Sequence, residues 1–163
     1  MIVVVSDTTT VTNLYAIGLV SLLRDLYERI IIPRAVQVEL SKLPEQSAWL
    51  ASQEWIDTVE ITNDGLLQEL LKELDQGEAE AIALAKEINA DVIIMDEKAG
   101  RKKAASIGLR MIGLLGILLQ AKRRRLIKEV KPVIEKLDAE TDFYIGKSLE
   151  SKVLLLAGEY RTN

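Results

Sequence analysis

The chain has 163 residues, enough for one domain with a sizeable core, carries a net charge of −4 and contains neither cysteine nor histidine. The absence of these two residue types excludes disulfides, thiol nucleophiles, Ser–His–Asp triads and zinc sites built from Cys or His. Any bound metal would be a hard cation held by oxygen, and acid–base chemistry would fall to Asp, Glu, Lys or Tyr.

The composition is that of a globular protein, with 48% apolar and 28% charged residues. No apolar run approaches the roughly 18–20 residues that a membrane-spanning helix needs. The first residues, MIVVVSD, lack the basic start and the small-residue cleavage site of a signal peptide. The sequence therefore predicts a cytoplasmic protein with no membrane partner.

Five short segments have the pattern of strands. In chain order they cover residues 1–7, 29–33, 55–61, 91–96 and 110–113. The third run alternates apolar and polar residues, as a less buried strand would. The first, second and fourth are almost wholly apolar, which is typical of a parallel sheet covered on both faces.

Segments with helical periodicity lie between these runs. Gly18 divides the first segment into two short helices, and Pro33 and Pro132 favour the start of the helices at their positions. The predicted helices cover residues 8–27, 34–43, 44–52, 64–74, 75–90, 98–109, 114–126, from Pro132 onward, and 146–160. Alternation of strands and helices predicts a single α/β domain of three layers, with a central, mainly parallel sheet between helices.

Charge is distributed unevenly along the chain. Residues 1–97 hold 18 acidic and 6 basic side chains, whereas residues 98–131 hold 11 basic side chains and one acid. A cationic block in an acidic protein indicates an anionic partner such as a phosphate backbone, although a solvated helical surface is the simpler alternative. The candidate nucleic-acid-binding residues are Arg101, Lys102, Lys103, Lys122, Arg123 and Arg124.

Four acids are expected at one edge of the sheet. Ligands of open parallel sheets bind at the carboxyl ends of the strands, where Asp7 ends the first strand and Asp96, followed by Glu97, ends the fourth. A helix that leads into a parallel strand begins at the same edge, which places Glu78 there. Glu39 lies in the helix after the second strand. Crowded carboxylates repel one another, and a divalent cation offsets that repulsion, so the pattern predicts a metal site.

Each acid also has a structural explanation when it is considered alone. Asp7 and Asp96 fit helix N-caps, Glu78 favours a helix dipole, and Glu39 fits an exposed helical face. The convergence of all four on one edge favours a functional site.

These segments resemble the PIN-domain nucleases, and in particular their small bacterial members. The resemblance covers most of residues 1–128 and leaves 129–163 as a helical C-terminal extension. Two features depart from the family pattern: Glu replaces the usual Asp at position 78, and MDEKAGR replaces the T-x-D-x-D-F ending. The matching motifs are Asp7–Thr8, the V-x-x-E-L segment Val36–Leu40, Glu78–Ala79, and Asp96 at the end of its strand.

The resemblance implies hydrolysis of phosphodiester bonds in single-stranded RNA with Mg²⁺ or Mn²⁺. The implied catalytic residues are Asp7, Glu39, Glu78 and Asp96. The implied metal ligands are Asp7, Glu78, Asp96 and Glu97, with Thr8 and Asn13 in supporting hydrogen bonds. The basic residues that follow Glu97 would contact flanking phosphates.

Other interpretations remain open at this point. The resemblance also fits the toxin of a toxin–antitoxin pair, in which an antitoxin covers the acidic groove, or a PIN-like protein that binds RNA or a regulatory protein without cutting. A receiver domain of signalling systems also clusters acids at strand ends, but its late lysine has no clear counterpart here. The apolar segment 153–160 fits either a core helix or the face of a homodimer.

Overall fold

The computed structural model describes residues 2–159. In that range the strands are β1 (Val4–Ser6), β2 (Ile30–Pro33), β3 (Ile56–Val59), β4 (Val92–Ile94) and β5 (Met111–Ile112). The helices are α1 (Thr8–Ala16), α2 (Ser21–Tyr27), α3 (Arg34–Leu40), α4 (Pro44–Ala51), α5 (Asp64–Leu70), α6 (Gln76–Glu87), α7 (Lys98–Ser106), α8 (Leu114–Arg123), α9 (Lys131–Glu140) and α10 (Lys147–Leu156).

The five strands form one sheet in the order β3-β2-β1-β4-β5, and every pairing among the described residues is parallel. The predicted α/β fold with a parallel sheet is confirmed. The chain passes from β1 outward through β2 and β3 and then returns to β4 on the other side of β1. The sheet therefore has its topological switch point between β1 and β4, where ligands of such folds bind.

Helices cover both faces of the sheet and give it two separate cores. Successive strand residues point to opposite faces, so Val4 and Ile94 enter one core while Val5 and Ile93 enter the other. The first core lies against α1 to α4 and α8 to α10, and the second against α5, α6 and α7. The predicted three layers follow directly from this alternation.

Helix α6 is the principal helix of the second core. Its alanines at positions 79, 81, 83 and 85 are buried. Small side chains let the helix axis lie close to β1, β2 and β4, and the N-terminus of α6 is thereby held at the carboxyl edge of the sheet.

The boundaries of the elements shift slightly from the predicted ones. Gly18, with φ of +76°, separates α1 from α2 as expected. The helix predicted over 114–126 ends at Arg123, and Arg125 takes a positive φ of 60°. The last predicted helix ends at Leu156, and Tyr160, its predicted final residue, lies outside the described residues.

The end of the described chain is tied to the sheet-flanking helices by Glu159. Its carboxylate accepts hydrogen bonds from Nζ of Lys122 at 2.9 Å and from the backbone N–H groups of Val130 and Lys131 at 2.8 and 2.9 Å. Glu159 therefore caps the N-terminus of α9, whose own cap residue, Val130, makes no side-chain hydrogen bond.

Candidate metal centre

A cavity of about 240 Å³ opens at the carboxyl edge, beside the switch point. Five of its lining residues are acidic, and the others are small or polar. The lining consists of Asp7, Thr8, Thr9, Glu39, Asp75, Gly77, Glu78 and Glu97. We call this the acidic cavity. Three of the four acids predicted to converge, together with Glu97, line it.

Asp7 is buried at the base of the acidic cavity, with 2% of its surface exposed. It precedes α1 in the N-cap position, yet its side chain makes no capping hydrogen bond. Both carboxylate oxygens are buried without a hydrogen-bond partner among residues 2–159. The alternative explanation of Asp7 as a helix cap is therefore not supported, and the carboxylate is left facing the cavity.

Burial, together with the nearby charges of Asp96 and Glu97, raises the pKa of Asp7 to about 8. The backbone N–H groups of Thr10 and Asp96 lower this pKa in part, although neither reaches the carboxylate with hydrogen-bond geometry. An ionised Asp7 is thus costly in the absence of a positive charge. A cation in the cavity would remove that cost.

Glu78 lies in the first turn of α6, and Asp75 caps the same helix. The Asp75 carboxylate accepts the backbone N–H of Glu78 at 2.8 Å, which leaves the Glu78 side chain directed to the acidic cavity. Partial burial raises the pKa of Glu78 to about 7, assisted by the charges of Asp75, Glu97 and Glu39. Asp75 was not among the predicted residues, although the spacing D-x-x-E before an apolar helix is a recognisable capping signal.

Glu39 reaches the acidic cavity because Gly77 has no side chain. A Cβ atom on Gly77 would stand 2.6 Å from Oε1 of Glu39. The absence of a side chain at position 77 therefore leaves room for the Glu39 carboxylate. This contact joins α3 to the N-terminus of α6 and could not be inferred from either segment alone.

Asp96 is placed differently from the other predicted acids. Its Oδ2 accepts the hydroxyl of Thr10 at 2.6 Å, and its Oδ1 accepts the backbone N–H of Leu114, the first residue of α8, at 2.9 Å. Asp96 thus supports the start of α8 rather than that of α7, whose N-cap residue is Glu97. It does not line the acidic cavity but lies behind Asp7, whose pKa its charge raises.

The polar residues of α1 take up unequal roles. Oγ1 of Thr8 is buried in the acidic cavity and has no hydrogen-bond partner among residues 2–159. Thr10, which was not predicted, makes the hydrogen bond to Asp96. Asn13, which was predicted to support the site, makes no hydrogen bond through its side chain with the described residues and does not line the cavity. On a helix beginning at Thr8, the first turn rather than the second faces the sheet edge.

The first basic cluster lies beside the acidic cavity, in α7. Lys103 forms an ion pair with Glu73 at 3.5 Å, close to the α6 cap. Arg101 turns the other way, and its Nη1 donates to the carbonyl of Met95 at 2.9 Å. Lys102 is exposed between them. Contact of these three residues with nucleic acid stays a prediction.

The second basic cluster lies at the opposite edge of the sheet. Helix α8 starts beside Asp96 at the carboxyl edge and runs back along the sheet, so its last turn is about 15 Å away. Lys122 is bound to Glu159, and Arg124 donates to the carbonyl of Leu26 at the end of α2. This segment therefore does not flank the acidic cavity, and Arg123 is exposed on that distant edge. Contact of Lys122, Arg123 and Arg124 with nucleic acid stays a prediction.

The residues of the acidic cavity suit a hard divalent cation. All donors are oxygens, and the buried, unpartnered carboxylate of Asp7 needs a positive partner. In the described part of the chain, however, no three acidic side chains stand close enough together to hold a metal ion as they are placed. Coordination by three of them would require the longer glutamate side chains to rotate inward.

A parallel five-stranded sheet with an acid-lined cavity at its switch point defines a class of α/β proteins whose ligands bind at the carboxyl ends of the strands. A family model described as a PIN domain matches residues 3–159, and the chain belongs to that family. The resemblance seen in residues 1–128 is confirmed, and the match includes α9 and α10 as well.

PIN domains are commonly nucleases and generally use a divalent metal. No curated protein matches the chain by sequence. Within residues 2–159, none of the helices is both long enough and apolar enough to cross a membrane.

Proposed function

We propose that the protein is an endoribonuclease that hydrolyses phosphodiester bonds in single-stranded RNA with Mg²⁺ or Mn²⁺. The observation that carries this proposal is the Asp7 carboxylate, buried and unpartnered at the base of a cavity lined by four other acids. Membership of the PIN-domain family supports the reaction class.

The acids divide into those that face the cavity and one that stands behind it. The cation would be held by Asp7, Glu78 and Glu97. Glu39, whose carboxylate lies against Gly77, would orient the attacking water. A bound divalent cation lowers the pKa of a coordinated water and neutralises charge on the phosphate. Asp96 remains a proposed ligand. Its two hydrogen bonds, from Thr10 of α1 and Leu114 of α8, also hold these helices beside Asp7.

Basic residues near the cavity would position the RNA. Lys102 and Lys103 lie on α7, directly after the acids, where they would contact phosphates on either side of the cleaved bond. Phosphate contacts fix the position of the strand without reading its sequence.

A second candidate function is binding of RNA or protein without cleavage. It is favoured by the spacing of the acids, since no three of them among residues 2–159 are placed for metal binding. A role as the toxin of a toxin–antitoxin pair is compatible with the first proposal, and a neighbouring gene for a small basic or DNA-binding protein would support it.

Cleavage of labelled single-stranded RNA separates the two candidates. We expect the wild type to cut with Mg²⁺ or Mn²⁺ and not with EDTA, and Asp7→Asn to lose at least about 100-fold in rate, a loss typical of a ligand that supports charge stabilisation in the transition state. Glu135→Gln, an exposed acid of α9, is the matched control and should cut at the wild-type rate. Metal-independent binding with no cleavage would favour the second candidate.

A further inference from the structure

A second cavity, of about 490 Å³, lies on the other side of Asp96. Its apolar walls come from β5 and α8 on one side and from α10 and the segment before it on the other. Ile112 and Leu115 face Phe143 and Leu149 across it. The volume falls within the range of about 300–1,000 Å³ that is typical of sites for small ligands. We call this the α8–α10 cavity.

One end of the α8–α10 cavity is polar because Asp96 and Arg101 line it. Both oxygens of Asp96 already accept hydrogen bonds from Thr10 and Leu114. Arg101 uses one N–H for the carbonyl of Met95 and forms no ion pair with any residue between 2 and 159. Its guanidinium therefore keeps donors for an anion or for the edge of a polar ring.

The mouth of the α8–α10 cavity carries two adjacent aromatic residues. Tyr144 is 82% exposed, and Phe143 before it is half-buried against the first core. An exposed aromatic ring and a guanidinium with unused donors, both lining one cavity, suit an unstacked nucleobase, since every base has a face for stacking and edges for hydrogen bonds. This arrangement matters in a chain with few aromatic residues, which make up 4% of the sequence.

We propose that the α8–α10 cavity is a nucleobase subsite, in which a base of single-stranded RNA stacks on Tyr144 while Arg101 binds its edge or the adjoining phosphate. The proposal rests on the RNA cleavage proposed above. Asp96 joins the two sites, since it lines this cavity and lies directly behind Asp7 of the acidic cavity. A strand with one base here would place a neighbouring phosphate toward the acids.

Photocrosslinking tests the subsite without requiring cleavage. Single-stranded RNA that contains 4-thiouridine is bound to the wild type in EDTA, irradiated, and the crosslinked peptides are identified by mass spectrometry. We expect crosslinks in the segment 137–147, which holds both aromatic residues. Crosslinks confined to other segments would overturn the subsite.

Affinity measurements with three variants supply the control. Tyr144→Ala should weaken RNA binding by roughly 5- to 150-fold, the range expected when one base no longer stacks on an aromatic ring, and Tyr144→Phe should restore it. Leu155→Ala, an exposed residue of α10 that does not line the cavity, should leave binding unchanged. Unchanged affinity in Tyr144→Ala would overturn the proposal.

The two proposals fail in different ways. RNA that crosslinks at Tyr144 but is not cut with Mg²⁺ or Mn²⁺ would overturn the nuclease and keep the subsite. RNA that is cut by the wild type, with no effect of Tyr144→Ala on affinity, would overturn the subsite and keep the nuclease.

Discussion

Asp7 links the electrostatics of the cavity to the stability of the fold. Its pKa is raised from 3.8 to about 8, so the folded protein holds this proton more tightly than the unfolded chain does. The resulting stabilisation is complete below about pH 4 and is lost as the pH rises toward about 8. Without metal, the protein should therefore unfold more easily at pH 8 than at pH 5.

Asp7→Asn should remove most of this pH dependence, because the amide has no charge to bury. In EDTA the variant should melt several degrees above the wild type at pH 8, since about 1 kcal/mol corresponds to roughly 2–4 °C in a domain of this size. The difference should shrink at pH 5. Equal melting temperatures of the two proteins at pH 8 would show that Asp7 is not a buried charge in the folded protein.

The variant Gly77→Ala tests the placement of Glu39 without changing an acidic residue. A methyl group at position 77 would occupy the space of Oε1 of Glu39 and push the carboxylate out of the acidic cavity. Because α6 gains an alanine in its first turn, we expect thermal stability to be kept while Mn²⁺ affinity falls. The matched control is Gly146→Ala, where a Cβ atom would meet open space. Equal Mn²⁺ affinity in the two variants would separate Glu39 from the site.

At the scale of elements, the direction of a helix decides which charges can share a ligand. Helix α7 begins at the carboxyl edge and keeps Lys102 and Lys103 near the acids, whereas the basic residues of α8 lie at its far end. The same rule that places Glu78 at the edge also places Arg123 away from it. The position of the α8 basic residues was therefore predictable from the order of strands and helices, but the clustering of basic residues alone did not indicate it.

The salt dependence of RNA binding should distinguish the two basic clusters. Lys102→Gln with Lys103→Gln should reduce the slope of log affinity against log salt by about 0.7 for each phosphate that these lysines neutralise. Arg123→Gln with Arg124→Gln removes the same charge at the opposite edge and should leave the slope for a short oligonucleotide unchanged. A larger effect of the second pair would place the RNA along α8 instead.

The elements themselves were largely predictable, and the contacts between them were not. Apolar β-branched runs located β1, β2 and β4, because burial on both faces of a parallel sheet leaves little choice of residue. The rotation of Asp96 toward Leu114 depends on where α8 begins in space. The contact of the Glu39 carboxylate with Gly77 likewise joins residues far apart in the chain.

At the scale of the whole molecule, the C-terminal region completes the structure. Residues 129–163 carry no chemical motif, yet α9 and α10 bury Leu137 and Val153 in the first core. Their packing also creates the α8–α10 cavity. No local sequence pattern predicts this cavity, because its walls come from segments distant in the chain. The family match through residue 159 agrees with this region being part of the domain.

The proposed function requires that the acidic cavity bind a divalent cation through Asp7. Calorimetric titration with Mn²⁺ of the wild type, Asp7→Asn and the control Glu135→Gln tests it most directly, because it requires neither RNA nor catalysis. We expect saturable binding by the wild type and the control, and an affinity at least about tenfold lower in Asp7→Asn. Equal affinity in Asp7→Asn and the wild type, or no binding by the wild type, would contradict it.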